Sequence, residues 1–141
     1  MEENCNKERL LKKAEEVLAR CEDITIASVN ADGYPRPVPV SIMKTIGFNE
    51  VWISTGADSV KTIEFLANPK AGLCYSSKGD SVAMRGTVEI VTNDELRKEM
   101  WKDWMIYHFT EGPTDTNYVL LRFVVKDATI WIENEFAHLT L

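Results

Sequence analysis

Three prolines on alternate positions, Pro35, Pro37 and Pro39, constrain the fold of this chain more than any other feature of its sequence. Proline has no backbone N–H, and successive amides of an extended strand point to opposite edges. All three missing donors therefore fall on one edge of the strand predicted at residues 34–43, and that edge cannot pair normally. The sequence predicts a strand that pairs on one side and leaves its other edge open to solvent, a ligand or a partner subunit.

The residues on both sides of this strand predict one mainly β domain over residues 1–141, with about six to seven antiparallel strands and three helices. The first helix is predicted at 7–20, where apolar residues recur at helical spacing. Runs of strand formers and turn signals follow. The other strands are predicted at 24–29, 51–54, 71–76, 81–92, 118–125 and 128–132, the last two as a closing hairpin. These elements predict a fold of the β-barrel class, with the barrel core over about residues 24–133.

Two more helices are predicted between the strands. Asp58 and Ser59 are typical helix caps, and Pro69 ends the helix that they begin. The side chains expected to face the core are the apolar ones, Val60, Ile63, Leu66 and Ala67. A third helix is predicted from residue 93 to about residue 109.

Composition restricts the partners and the location of the protein. The formal net charge is −6, and an acidic chain is repelled by nucleic-acid backbones. The cysteines Cys5, Cys21 and Cys74 form no C-x-x-C pair, and the first residues are charged. These features predict reduced thiols, no signal sequence and a cytoplasmic location. The longest apolar run, at 118–125, is too short to span a membrane, so we expect neither nucleic acid nor membrane as a partner.

The segment Ser54–Lys61 carries the strongest chemical signal. A predicted strand ends in hydroxyl residues, a loop follows, and a helix begins whose N-terminal N–H groups suit a phosphate. Thr55 and Ser59 add hydroxyl donors, and Lys61 in the first turn opposes the helix dipole unless an anion binds there. Arg36 is the natural second cation, because its strand can lie beside this loop. The alternative is that Ser59 is only a cap and Lys61 only a solvated surface charge.

Other kinds of site have less support in the sequence. The two histidines, His108 and His138, lie far apart, and no ligand spacing typical of zinc is present, so we expect no metal site. The G-x-S-x-G motif of α/β-hydrolases is also absent.

Taken in order, several short motifs resemble the pyridoxamine 5'-phosphate oxidase-like split barrels, in particular their bacterial general stress protein branch. The matching segments are DGYPR at 32–36, WISTGADSVK at 52–61, NPKAGL at 68–73, GTVE at 86–89, EGPTD at 111–115, YVLLR at 118–122 and Trp131. The resemblance covers about residues 7–133, nearly the whole chain.

The resemblance implies a six-stranded split barrel that forms a homodimer, with flavin mononucleotide (FMN) at the subunit interface. Thr55, Ser59 and Lys61 would hold the phosphate, and Arg36 would add charge. The backbone of residues 38–40 would border the flavin ring. The full set of implied cofactor-binding residues is Arg36, Val38, Pro39, Val40, Ser54, Thr55, Ser59 and Lys61.

The function implied by the resemblance is that of an FMN-binding protein, in particular a flavin-dependent oxidoreductase of the general stress protein type. No catalytic residue is assigned. One alternative is a flavin-binding or stress-response module without turnover. Another is a split barrel that binds haem or a deazaflavin. His108 or His138 would be the candidate axial ligands for haem. Val38 stands where family members often carry a second basic residue. The chain lacks the C-terminal extension of the true oxidases, so we do not expect oxidation of vitamin B6 itself.

Overall fold

The computed structural model describes the backbone of residues 2–141 and the side chains from Asn6 onward, so the side chain of Cys5 lies outside the described residues. The helices are α1 (Glu2–Ala19), α2 (Val60–Ala67) and α3 (Asp94–Glu99). The strands are β1 (Asp23–Val29), β2 (Pro35–Ser41), β3 (Lys44–Ile46), β4 (Glu50–Gly56), β5 (Lys70–Ser77), β6 (Asp80–Val91), β7 (Tyr118–Ile132) and β8 (Glu135–Thr140). Short 3₁₀ turns occur at Asp103–Tyr107 and Gly112–Thr114.

The eight strands form one antiparallel sheet in the order β2-β1-β5-β6-β7-β4-β3, with β8 beside β7. Strand β7 is 15 residues long and pairs with β6 along one edge. Its other edge pairs with β4 in its first half and with β8 in its second half. This branching curls the sheet into the half barrel of a split-barrel fold, which confirms the predicted fold class.

The strand prediction was wrong in two details. Strands β3 and β8 were missed, so the sheet has eight strands and extends beyond residue 133. The predicted closing hairpin at 118–125 and 128–132 is one continuous strand. Gly86 pairs with Val125 and Arg85 pairs with Asp127, so Lys126 is the extra residue of a β-bulge. The polar residues that suggest a turn at this place mark the bulge instead.

Two helix predictions also differ from the structure. Helix α1 begins at Glu2, earlier than predicted. The long helix predicted at 93–109 is wrong, because α3 ends at Glu99 and a separate 3₁₀ turn follows. Arg97 is buried in α3 and donates hydrogen bonds to the carbonyls of Asp115 and Tyr118, at 2.9 and 3.1 Å. The helix is thus tied to a distant segment that the local sequence does not reveal.

The main core lies between α1 and the concave face of the sheet. Ala14 and Val17 are fully buried there with side chains of β1, β6 and β7, and the Tyr75 hydroxyl donates a hydrogen bond to the Ala14 carbonyl at 3.0 Å. An ion pair at 2.8 Å between Arg9 and Glu135 joins α1 to β8. Within residues 2–141 no helix is long and apolar enough to cross a membrane. The cytoplasmic location predicted from the thiols stays a prediction.

Candidate functional site

The proline-rich strand β2 lies at one end of the sheet order and pairs with β1. Just beyond the two ends of this ladder, the N–H of Asn30 donates to the carbonyl of Tyr34, and the N–H of Ile42 donates to the carbonyl of Glu22. Hydrogen-bonded pairs alternate along an antiparallel ladder, so the even-numbered residues of β2 bond to β1. The amide positions that face outward are those of Pro35, Pro37 and Pro39. The unpaired edge predicted from the prolines is therefore confirmed for the part of the chain that the structure describes.

The turn between β4 and α2 is held by a network of hydroxyl groups. Ser59 is the N-cap of α2, and its Oγ accepts the N–H of Thr62 at 3.3 Å. Thr55 Oγ1 donates to Ser59 Oγ at 3.2 Å, and Thr62 Oγ1 donates to the carbonyl of Gly56 at 2.7 Å. Sequence reasoning missed Thr62, which is buried at the N3 position. The only sequence signal for it was its place three residues after a capping serine.

A cleft of about 350 Å³ opens beside this turn. Three of the predicted residues, Ser54, Thr55 and Ser59, lie in its wall. The opposite wall comes from the 3₁₀ turn, where the rings of Trp104 and His108 meet edge to face at 6.0 Å. Gly56 and Asp58 of the predicted segment also line the cleft, whereas sequence reasoning missed Ser41, Phe109 and Asn117. The structure thus combines hydroxyl groups, an imidazole and aromatic rings in one cleft.

Asn117 lines this cleft and holds the loop between β4 and α2. Its backbone carbonyl accepts the N–H of Ala57 at 2.7 Å, and its Oδ1 accepts the N–H of Asp58 at 3.2 Å. Both bonds fix the loop that precedes α2. Nothing in the local sequence of Asn117 indicates this role, because its partners lie about 60 residues away.

The two predicted cations, Arg36 and Lys61, do not line this cleft but lie together beside Glu64 of α2. The Arg36 Nε donates to Glu64 Oε1 at 2.5 Å. Lys61 is half-buried, and no described residue forms a hydrogen bond or an ion pair with its ammonium group. Burial lowers the pKa of Lys61, and the nearby charge of Arg36 lowers it further. Arg36 thus pairs with a residue one helical turn after Lys61, as expected of a strand that lies beside this segment.

The remaining predicted cofactor-binding residues, Val38, Pro39 and Val40, do not line the cleft. The side chains of Val38 and Val40 are partly buried and pack against the main core. Pro39 lies in a groove on the convex face of the sheet with Thr25 and Cys74. The structure does not bring these three side chains to the cleft. The idea that their backbone borders a flavin ring stays a prediction.

The expected inward face of α2 was wrong. Val60, Ile63 and Leu66 are 54%, 58% and 71% exposed, whereas Thr62 and Phe65 are buried. Phe65 packs into the main core and the Thr62 hydroxyl bonds to the Gly56 carbonyl, so these two residues face inward. Helix α2 therefore presents an apolar face outward.

The two histidines lie on different elements. His108 lines the cleft, whereas His138 of β8 shares a hydrogen bond of 2.8 Å with the Thr129 hydroxyl. Among the described residues no group of three or more His, Cys, Asp and Glu side chains could hold a metal ion.

Comparison with known proteins shows which family the chain resembles in sequence and in fold. A sequence model described as pyridoxamine 5'-phosphate oxidase matches residues 10–132 of the chain. No curated protein matches it. The chain is similar in structure to a protein from Clostridium acetobutylicum related to general stress protein 26, with a TM-score of 0.82 and 19% identity over 95% of this chain and 96% of that one.

Two other solved structures share the fold. General stress protein 26 from Bacillus anthracis has a TM-score of 0.76 and 20% identity over 92% of this chain and 98% of that one. A heme binding protein from Mycobacterium smegmatis has a TM-score of 0.73 and 13% identity over 93% of this chain and 57% of that one. The family match spans most of the chain and agrees with the shared fold. This chain therefore belongs to the pyridoxamine 5'-phosphate oxidase family.

Proposed function

We propose that this protein binds FMN at the β4–α2 turn and acts as a flavin-dependent oxidoreductase of the general stress protein type. The observation that supports this most is the pair formed by Arg36 and the unpartnered, half-buried Lys61, near the capped N-terminus of α2. Arg36 pairs with one carboxylate and Lys61 with none that the structure describes, so the two cations leave a positive charge that a phosphate dianion offsets. The N-terminal N–H groups of α2 add hydrogen-bond donors for the same group. The Thr55 and Ser59 hydroxyls bond within the turn and would turn toward the phosphate when it binds.

The magnitudes support a nucleotide rather than a bare phosphate. Charge-assisted hydrogen bonds contribute about 1.5–3 kcal/mol each, so three or four contribute on the order of 5–10 kcal/mol. Immobilising the ligand costs about 4–15 kcal/mol. Burial of a flat ring system has to add the rest to reach micromolar affinity, about −8 kcal/mol. The ring of Trp104, which is 44% exposed, supplies apolar surface in the cleft beside the turn.

In such a complex FMN would supply the redox chemistry, and the residues of this chain would bind it and hold its orientation. Lys61 and Arg36 are the residues that would offset the phosphate charge. Ser54, near the end of β4, would contact the part of the ligand next to the phosphate. Among the residues described by the structure, none is assigned as a catalytic acid or base.

We also propose that the protein forms a homodimer through the convex face of its sheet. Thr25, Cys74, Ala83 and Thr129 are cross-strand neighbours there, in a groove of about 490 Å³. Trp131 and Phe136, both exposed, border one end of the groove. A sheet face of small uncharged side chains can pack closely against the same face of a second copy.

FMN titration of the purified protein, followed by flavin fluorescence, tests the proposed function. Quenching with a dissociation constant in the micromolar range is expected for the unmodified protein. The double variant Ser59→Ala, Lys61→Ala is expected to bind FMN at least about tenfold more weakly, because it loses a hydroxyl and a charged donor. Riboflavin, which lacks the phosphate, serves as the matched ligand. Its affinity should fall much less in the double variant than that of FMN. Absence of FMN binding by the unmodified protein would contradict the proposal.

Anaerobic addition of NADH or NADPH to the FMN complex separates an enzyme from a binding module. Bleaching of the flavin absorbance is expected for an oxidoreductase that accepts electrons from a nicotinamide. A flavin that stays oxidised with both donors would favour the module without turnover.

Haem binding is the second candidate, because His108 lies in the same cleft as Trp104 and Phe109. A solved structure with the same fold is a heme binding protein. Titration with haemin tests this candidate. A shifted Soret band with the unmodified protein that is lost with His108→Ala would favour haem binding. A haemin spectrum that does not change when the unmodified protein is added would count against it.

A further inference from the structure

Glu64 is a buried carboxylate at the centre of the cation cluster. Its side chain is 10% exposed, and its Oε1 accepts hydrogen bonds from Arg36 Nε at 2.5 Å and from the buried Ser28 hydroxyl at 3.4 Å. Its other oxygen, Oε2, is buried without a hydrogen-bond partner among the described residues. A buried charge is costly unless it is paired, so the ion pair with Arg36 is what stabilises this carboxylate in the folded protein.

Arg36 is held at one end only. It donates to Glu64 through Nε, and no described residue accepts a hydrogen bond from its two terminal nitrogens. The side chain is 41% exposed, so those nitrogens remain accessible. The terminal fork of a guanidinium binds phosphate or carboxylate in a bidentate manner. The ion pair thus fixes the side chain and leaves its binding end free.

Lys61 makes the position of Arg36 sensitive to Glu64. Lys61 lies one helical turn before Glu64, and the charge of Arg36 contributes to the lowered pKa of Lys61, so the two cations repel each other. Glu64 offsets that repulsion through its hydrogen bond to Arg36. Without Glu64 the exposed guanidinium would move away from Lys61 into solvent.

We propose that Glu64 is a positioning residue of the anion site, which holds Arg36 so that its terminal nitrogens receive the phosphate of a flavin nucleotide. This inference rests on the proposed function and names the residue that organises the site. The direction in which phosphate affinity changes when Glu64 is removed distinguishes a positioning residue from a simple negative charge. As a simple negative charge Glu64 would weaken phosphate binding, whereas as a positioning residue it strengthens phosphate binding.

Titration of FMN and riboflavin against Glu64→Ala and Glu64→Gln separates these two roles. Glu64→Ala is expected to lower FMN affinity by about tenfold, the effect of losing one charge-assisted contact, and to leave riboflavin affinity unchanged. Glu64→Gln is expected to stay within about threefold of the unmodified protein, because the amide oxygen still accepts from Arg36 Nε. The matched control is Glu135→Ala, which removes a carboxylate paired with Arg9 on another element and should change neither affinity.

Nitrogen-15 NMR of the Arg36 Nε–H group gives a readout independent of flavin. A protected Nε–H signal is expected in the unmodified protein and in Glu64→Gln, and its loss is expected in Glu64→Ala. FMN binding by Glu64→Ala that equals or exceeds that of the unmodified protein would overturn the proposal for Glu64 alone. An equal loss of FMN and riboflavin affinity would also overturn it, because it indicates damage to the fold. Failure of the unmodified protein to bind FMN would overturn the proposed function together with this inference.

Discussion

Gly86 shows how closely the centre of the sheet is packed at the scale of one residue. A Cβ atom at this position would lie 2.1 Å from the carbonyl oxygen of Val124 and 2.8 Å from the ring of Phe123. We expect Gly86→Ala to lower the free energy of unfolding by about 1–3 kcal/mol or more, because β7 has to move. Urea denaturation measures this change.

The matched control for Gly86 is Gly72→Ala on the neighbouring strand β5. The nearest atom to a Cβ at position 72 is 3.8 Å away, which is an ordinary contact. This substitution should change the free energy of unfolding by less than about 0.5 kcal/mol. Equal losses in the two variants would show that the close approach to Val124 is not the cause.

At the scale of elements, the rotation of α2 about its axis can be tested with two adjacent residues. Phe65 is buried and Leu66 is 71% exposed. We expect Phe65→Ala to lower the free energy of unfolding by about 3–5 kcal/mol, because it leaves a cavity in the core. Leu66→Gln should change it by no more than about 0.5 kcal/mol. Chemical denaturation measures the free energy of unfolding of both variants. A larger loss in Leu66→Gln than in Phe65→Ala would support the inward face predicted from the apolar spacing.

An ion pair between neighbouring strands predicts how stability depends on pH. Arg122 of β7 donates hydrogen bonds to Glu50 of β4 and to Glu89 of β6. The hydrogen bond from Arg122 lowers the pKa of Glu50. The folded state therefore binds this proton less tightly than the unfolded state. The stability that the Glu50–Arg122 ion pair contributes is complete above the ordinary carboxyl pKa of about 4.3. It is lost as the pH falls through the lower pKa of Glu50 in the folded state.

Denaturation midpoints between about pH 6 and pH 3 test this dependence. The midpoint of the unmodified protein should fall in the acid part of this range, and the fall should be smaller in Glu50→Gln. Glu89→Gln is the control, because Glu89 contacts the same arginine but its side chain is 64% exposed. Identical acid profiles for the unmodified protein and Glu50→Gln would contradict the assignment.

At the scale of the whole molecule, the proposed dimer predicts a change in mass on substitution of one small residue. Ala83 lies between Cys74 and Thr129 in the middle of the convex face and is exposed in the isolated chain. Ala83→Arg places a charge where two copies would pack, so sedimentation should change from dimer to monomer. Glu16→Arg on the exposed side of α1 serves as the control and should leave the mass unchanged. A protein that sediments as a monomer before substitution would contradict the proposal.

The sequence by itself determined the features that depend on local backbone chemistry. The alternation of Pro35, Pro37 and Pro39 placed their strand at an edge, because a missing N–H acts on the residue that lacks it. The cap at Ser59 and the end of its helix before Pro69 followed from the same kind of local rule. Ordered short motifs identified the family, since they reflect the shared fold along the whole chain.

Only the tertiary structure decided the features that depend on residues far apart in the chain. The side of α2 that faces the core follows from the burial of Phe65 and from the bond between Thr62 and Gly56, which the apolar spacing does not reveal. The continuity of β7 depends on its pairing with two different strands along one edge. The ion pair between Glu64 and Arg36 exists because β2 brings Arg36 to Glu64 from 28 residues away. Local sequence carries no information on such pairings, because their free energy arises when folding brings the partners together.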